Sequence, residues 1–183
     1  MMASLPASSS FIIVGESFSG PLALMAAARH PSGLVGVVLC ASFYRSPHPY
    51  LPSFLGGMVR PALLRLFPQC SQVKALFGGY STSALRQLVR EALSAVAPEV
   101  LACRLRAVLT VDASDALRCC HVPLLYLRGA RDFVVPRWNA TDTQRLLPSA
   151  SIHVVPAPHM ILQTQPQLAA EALAQFAVSV SAS

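Results

Sequence analysis

Short runs of apolar residues alternate along the chain with stretches whose apolar residues recur every three or four positions. The short runs predict four buried strands: Phe11–Val14, Leu34–Cys40, Val122–Leu127 and Ser151–Val155. The longer stretches predict three helices: Pro21–Arg29, with a first turn at about Phe18, Trp138–Leu147 and Pro166–Val178. Continuous apolar strands separated by helices are typical of a parallel sheet that helices cover on both faces. The pattern therefore predicts an α/β fold with a mostly parallel sheet.

The middle of the chain, residues 45–120, has a different character. It opens with a proline-rich loop and continues through two helix-like stretches, Leu51–Phe67 and Thr82–Leu109, without a strand pattern between them. The chain is therefore expected to divide into three parts. Residues 1–44 and 121–183 would form the α/β core, and the middle part would be a helical insertion that lies over the sheet.

Composition limits the classes of protein to which the chain can belong. With 183 residues, of which 54% are apolar and only 12% are charged, it suits one domain with a large core. No apolar run approaches the roughly 18 residues of a membrane span, and the N-terminus lacks the pattern of a secretory signal. The net charge of +6 is spread over scattered arginines, which favours a solvated surface over a nucleic-acid interface. We therefore expect no membrane span and no nucleic-acid partner.

The cysteines bear on compartment and on metal binding. There are five of them, scattered along the chain, and an odd, scattered set favours reduced thiols over a disulfide framework. No Cys-x-x-Cys pair and no His/Cys spacing suggests zinc. We therefore expect a cytoplasmic protein with no metal and no other cofactor.

The first predicted strand breaks into small residues around one serine, in the segment Gly15–Gly20 (GESFSG). A strand, a Gly-x-Ser-x-small turn and a helix together hold a hydroxyl out as a nucleophile. The sharp turn strains the serine backbone and crowds its flanks, which favours Gly15 on one side and a very small residue, Ser19, on the other. The helix would direct its N-terminal amides at the reacting centre, with the Phe18 backbone N–H as an oxyanion donor. For this segment alone, an ordinary loop serine is about as good an interpretation.

Two further residues follow predicted strands, at the ends where open parallel sheets bind ligands. With Ser17 they occur in the order of a nucleophile, orienter and base: Asp132 follows the third strand and His159 the fourth. His159 would take the Ser17 proton, and Asp132 would orient the imidazole. Each is individually explained as well by a turn aspartate or a loop histidine, but three strand ends together favour a triad. Asp115 is a weak reserve for the acid, and His153 is expected to pack or face outward from its strand.

These three segments together resemble the α/β-hydrolase family, and within it the carboxylesterase-like serine hydrolases. The segment around Ser17 is similar to the family's nucleophile elbow, Val122–Pro136 to its acid-bearing strand and loop, and Pro158–Gln163 to its histidine loop. The resemblance covers nearly the whole chain. It implies cleavage of a small-molecule ester or other acyl substrate through an acyl-serine intermediate. It also implies that the helical stretch 45–120 is the family's lid.

The chain departs from this family pattern before the elbow. In the family, several strands precede the elbow, and a loop among them supplies the second oxyanion amide, but only ten residues precede Phe11 here. We therefore expect an N-terminally truncated core in which the second oxyanion donor is missing. The first strand would be an exposed sheet edge, which a partner chain or a dimer could cover. The alternative function is that of a catalytically impaired or inactive fragment that acts, if at all, as a binding protein.

Overall fold

The structure is a computed structural model that describes residues 9–51 and 69–181, with side chains from Val73 onward in the second range. Its four strands are β1 Phe11–Glu16, β2 Leu34–Cys40, β3 Leu124–Gly129 and β4 Ser151–Val155. They form one sheet in the order β1-β2-β3-β4, and each neighbouring pair is parallel. The predicted α/β class is confirmed, and two of the four strands, β2 and β4, have the predicted bounds. In the described sheet, β1 lies at one edge.

Helices separate and follow these strands. In the described residues they are α1 Ser19–Ala27, α2 Gln69–Phe77, α3 Ser83–Ser94, α4 Pro98–Thr110, α5 Ser114–Arg118, α6 Trp138–Leu146, α7 Ile161–Thr164 and α8 Pro166–Ser181. None of the helices in these ranges combines the length and the apolar content that a bilayer span requires.

Helices pack against both faces of the sheet. Alternate residues of each strand point to opposite faces, so a strand can contribute side chains to both cores. On one side Leu39 of β2 packs in a core with Leu24 of α1 and Leu117 of α5. On the other side Val38 of β2 packs in a second core with Phe176 of α8. All of these side chains are at least nine-tenths buried. The two cores contain buried residues of β2 and β3 on both faces, with Val155 of β4 in the second, and Ile12 of β1 packs against the second core.

The helix-like stretch Thr82–Leu109 is helical in the structure and is divided into two helices, α3 and α4. Thr82 begins α3 as its cap, because its Oγ1 accepts a hydrogen bond from the Leu85 N–H at 3.2 Å. The break comes before Pro98, the first residue of α4, since proline disfavours a helical backbone at the residue before it. That residue, Ala97, has the non-helical angles φ −58° and ψ 137°.

Other differences from the sequence prediction are smaller. The predicted helix Leu51–Phe67 lies, beyond its first residue, outside the described residues. Helix α2 was not predicted. Strand β3 begins at Leu124 rather than Val122, because Pro123 has no N–H to donate to a sheet. The Pro123 carbonyl still accepts a bond from the Val37 N–H at 3.0 Å.

The parallel register brings the carboxyl ends of the strands to one edge of the sheet. Glu16 at the end of β1 lies opposite Cys40 at the end of β2, and Gly129 of β3 lies opposite Val155 of β4. The loops that follow β1, β3 and β4 therefore meet at this edge, as expected for an open parallel sheet.

Candidate active site

Ser17 is the turn residue between β1 and α1, and its backbone is strained. Its φ of 50° lies in the left-handed region that non-glycine residues rarely adopt. Three hydrogen bonds fix this conformation. The Ser17 N–H donates to the Cys40 carbonyl at 2.9 Å, and the Ser17 carbonyl accepts from the Gly20 N–H at 3.1 Å and from Ser42 Oγ at 2.6 Å. Hydrogen bonds to α1, to the end of β2 and to Ser42 therefore keep Ser17 in its strained conformation.

The crowding expected around this turn is present. A Cβ on Gly15 would lie 2.7 Å from the Gly20 Cα, and a Cβ on Gly20 would lie 1.8 Å from Ser42 Oγ. Both positions therefore require glycine. Ser19, the very small residue on the other side of the turn, donates its Oγ to the Glu16 carbonyl at 2.8 Å. The extra hydroxyl is thus hydrogen-bonded, which explains physically why serine fits at this position.

The structure brings Ser17, His159 and Asp132 into one hydrogen-bonded chain. His159 Nε2 lies 2.9 Å from Ser17 Oγ, and His159 Nδ1 lies 2.9 Å from Asp132 Oδ2. The His159 and Asp132 side chains are only 2% and 1% exposed. A carboxylate oxygen accepts hydrogen bonds, so a neutral His159 that donates from Nδ1 to Asp132 leaves Nε2 to accept from the Ser17 hydroxyl. This tautomer is the one that a base for Ser17 requires.

The second carboxylate oxygen of Asp132 is fixed by the backbone of its own loop. Asp132 Oδ1 accepts from the Val134 N–H at 2.8 Å and from the Val135 N–H at 2.9 Å. Together with the bond to His159, these bonds use both oxygens, and they hold the carboxylate in one rotamer. The aspartate can therefore orient the imidazole rather than move with solvent.

The histidine loop packs closely against the end of β3 and against the middle helices. A Cβ on Gly129 would lie 2.5 Å from the Pro158 carbonyl oxygen, so this approach requires glycine. From α2, the Leu76 carbonyl accepts from the Met160 N–H at 3.1 Å. After α2, the Tyr80 hydroxyl donates to the Pro156 carbonyl at 2.8 Å. The helical segment thus holds the loop that carries His159.

The N-terminus of α1 begins directly after Ser17 and places the Phe18 backbone N–H beside it in the chain. The Phe18 N–H, directly after Ser17, donates to no other group among the described residues. The amides at a helix N-terminus carry partial positive charge and suit an anionic oxygen. This geometry fits the oxyanion donor expected from the sequence.

Sequence reasoning missed residues that support the site. Ser42 and the pair Glu16–Gln163 were not identified, although Glu16 Oε2 accepts from Gln163 Nε2 at 3.2 Å and so ties the elbow to the histidine loop. The only feature of the sequence that could have indicated them is their position: Glu16 precedes Ser17, and Gln163 follows His159 by four residues. No sequence pattern pairs two residues this far apart in the chain.

The other residues considered from the sequence lie outside the Ser17–His159–Asp132 chain of hydrogen bonds. Asp115, the reserve acid, is 99% exposed at its side chain and pairs with Arg118 at 2.9 Å. His153 is exposed on β4. Cys40 is fully buried, and burial, followed by the charges of nearby carboxylates, raises the pKa of its thiol, as fits an inert core cysteine. Within the described ranges, no group of three or more His, Cys, Asp or Glu side chains could hold a metal ion.

The fold is similar to that of solved hydrolases and a peroxidase. A thermophilic esterase from Thermogutta terrifontis matches with a TM-score of 0.77 and 22% identity, over 93% of this chain and 65% of that one. An esterase from Exiguobacterium antarcticum matches with a TM-score of 0.75 and 16% identity, over 92% of this chain and 66% of that one. A bromoperoxidase from Bacillus anthracis matches with a TM-score of 0.76 and 18% identity, over 90% of this chain and 66% of that one. At these identities the likeness establishes the fold.

The chain spans about two thirds of the length of these solved proteins. A comparison with curated protein sequences finds no significant match. The sequence model of the alpha/beta hydrolase family, in contrast, matches residues 3–172, which is most of the 183-residue chain. The chain therefore belongs to the alpha/beta hydrolase family.

Proposed function

We propose that the chain is a carboxylesterase-like serine hydrolase that cleaves an ester-like or other acyl substrate through an acyl-Ser17 intermediate. The observation that carries the proposal is the continuous chain of hydrogen bonds from Asp132 through His159 to Ser17 Oγ. Family membership and the esterases among the structures with the same fold support a hydrolase. Asp132, His159 and Ser17 would then act as orienter, base and nucleophile.

In the acylation step, Ser17 Oγ attacks the acyl carbon while His159 Nε2 takes the hydroxyl proton. The carbonyl π bond opens, and its electron pair moves to the oxygen beside the Phe18 N–H. When the tetrahedral intermediate collapses, the bond to the alkoxide breaks, and His159 returns the proton to that leaving group. Water, deprotonated by the same imidazole, then cleaves the acyl-Ser17 ester and regenerates the hydroxyl. Asp132 stays ionised and stabilises the imidazolium in both steps.

The oxyanion hole sets the expected rate. We assign one donor, the Phe18 N–H, to the acyl oxygen. Loss of one donor in such a site costs on the order of 10²–10³ in rate. An oxyanion hole with the Phe18 N–H as its single donor would therefore form the acyl intermediate slowly. Such a hole would also suit the alternative function, an impaired or inactive hydrolase fragment that acts as a binding protein.

Residues 45–120 would act as the lid over this site. The bonds from Met160 to the Leu76 carbonyl and from Tyr80 to the Pro156 carbonyl support this role, because they connect the helical segment to the histidine loop. We further propose a small-molecule substrate, with no nucleic-acid partner, and a partner chain or second copy along the β1 edge.

A reducing compartment such as the cytoplasm is proposed for the chain. It is supported by the cysteines whose side chains the structure describes, which are all free: Cys40, Cys103, Cys119 and Cys120.

Hydrolysis of 4-nitrophenyl acetate by the purified chain tests the proposal. The expected result is slow turnover that the Ser17→Ala and His159→Ala variants lose, with circular dichroism showing that both variants remain folded. A folded wild-type chain that releases no more 4-nitrophenol than the Ser17→Ala variant would favour the binding-protein alternative.

A further inference from the structure

Helix α4 places a cation beside the proposed oxyanion donor. The Arg104 guanidinium lies over the Phe18 ring, with its Cζ 6.0 Å from the ring centroid. Phe18 directly follows Ser17, and its backbone N–H is the donor assigned to the acyl oxygen. Stacking on an aromatic ring keeps an arginine in place without neutralising its charge. A positive charge therefore lies over the side chain of the residue that follows the proposed nucleophile.

Arg104 has no carboxylate of the protein to neutralise it. Among the described residues, it forms no ion pair, and its side chain is exposed. Of the carboxylates at the site, Asp132 pairs with His159, and Glu16 accepts from Gln163 through Oε2 while its buried Oε1 has no partner among the described residues. The guanidinium donors are thus available to a ligand.

Neighbouring arginines of the same helical segment differ in this respect. Arg106 donates to the Ala102 carbonyl of its own helix, and Arg86 donates to Ser81. Neither has a contact with the elbow among the described residues. Arg104 is therefore set apart by its position over Phe18.

We propose that Arg104 is a specificity-determining residue and that the substrates are esters whose acyl group carries a negative charge, such as monoesters of dicarboxylic acids. This inference rests on the proposed function. We place the charge on the acyl side because the acyl group would be bound to Ser17 and to the Phe18 N–H, and the Phe18 side chain carries the cation. A guanidinium pairs with a carboxylate through two parallel hydrogen bonds, which a neutral acyl chain cannot accept.

The test compares two esters of equal acyl length, 4-nitrophenyl hexanoate and the mono-4-nitrophenyl ester of adipic acid. We expect the wild-type chain to prefer the adipate ester, and 0.5 M NaCl to weaken that preference because the pair is partly exposed. The Arg104→Met variant keeps an apolar side chain over Phe18 but removes the charge. It should lower kcat/KM for the adipate ester about tenfold, mainly through KM, and leave the hexanoate ester unchanged.

Two further variants separate recognition from packing and from overall charge. Arg104→Lys should keep most of the preference for the adipate ester. Arg90→Met removes one exposed charge from α3 and should leave both esters unchanged. Equal losses on both esters in Arg104→Met, or the same loss in Arg90→Met, would overturn the inference while the hydrolase function stands. If the folded wild-type chain cleaves neither ester above the Ser17→Ala background, the proposed function itself fails.

Discussion

Gly20 of α1 packs so closely against Ser42, after β2, that an added Cβ would have no room. This packing gives the most specific prediction. In a Gly20→Ala variant the new Cβ would lie 1.8 Å from Ser42 Oγ, 2.8 Å from Ser42 Cβ and 3.3 Å from Leu39 Cδ2. The Ser42 hydroxyl could rotate away, but the Ser42 Cβ cannot, because its position is set by the backbone. Either α1 moves off β2, or the Ser42 hydroxyl loses its 2.6 Å bond to the Ser17 carbonyl.

The opposing effects have comparable sizes. Overpacking of this kind costs about 1–3 kcal/mol, and a lost hydrogen bond costs about 0.5–1.5 kcal/mol. Alanine is favoured over glycine in a helix by at most about 1 kcal/mol, and Gly20 lies in the first turn of α1. We therefore expect Gly20→Ala to lower the free energy of unfolding by about 1–3 kcal/mol. Since a misplacement of about 1 Å can cost 10²-fold in rate, the reactivity of Ser17 should fall by at least tenfold.

Urea unfolding, followed by circular dichroism, and the rate of reaction with a fluorophosphonate probe measure the two effects. The matched control is Gly79→Ala, since a Cβ on Gly79 has no atom within 4 Å, and it should change neither quantity. A Gly20→Ala/Ser42→Gly double variant removes both close contacts and should recover part of the lost stability relative to the sum of the single variants. If Gly20→Ala is as stable and as reactive as Gly79→Ala, the packing argument for the elbow is wrong.

Three more predictions concern single side chains. Asp132→Asn should slow fluorophosphonate labelling about 10²-fold or more, because the imidazole loses its orienting carboxylate, and an unchanged rate would exclude that role. Burial, followed by the hydrogen bond to Asp142, raises the pKa of Tyr44 from 10.0 to about 12. The neutral hydroxyl therefore stabilises the fold fully below pH 10, and the stabilisation is lost as the pH rises toward 12. Urea titrations at pH 9 and pH 11 should show a smaller loss in Tyr44→Phe than in the wild type, whereas equal losses would contradict the assignment. Iodoacetamide at pH 8 should modify exposed Cys103 well before buried Cys40, as peptide mapping by mass spectrometry would show, and faster modification of Cys40 would contradict its burial.

The sequence predicted the parts of this molecule that depend on local pattern. Strand β2 was found at its observed bounds because six of its seven residues are apolar and the run follows a glycine turn at Gly33. Asp132 and His159 were found because each follows a strand, and parallel strands end at one edge. Pro98 also indicated the break between α3 and α4. Apolar residues recur at helical spacing on both sides of it, so the two helices looked like one stretch.

What the sequence could not predict were contacts between distant residues. The bond from Ser42 to Ser17 spans 25 positions, and the bond from Gln163 to Glu16 spans 147. Arg104 over Phe18 is a pairing of the same kind, since it depends on where α4 lies above the elbow. Such pairs follow from the packing of whole elements, and no periodicity or local motif marks either partner.

The central claim is that Ser17 is an activated nucleophile in this chain. Intact-mass spectrometry after incubation with a fluorophosphonate tests it most directly, with peptide mapping to locate the adduct. We predict one adduct per chain, on Ser17, that is absent from Ser17→Ala and from wild-type protein unfolded in urea. A folded wild-type chain that acquires no adduct, or that acquires it equally in Ser17→Ala, would contradict the claim.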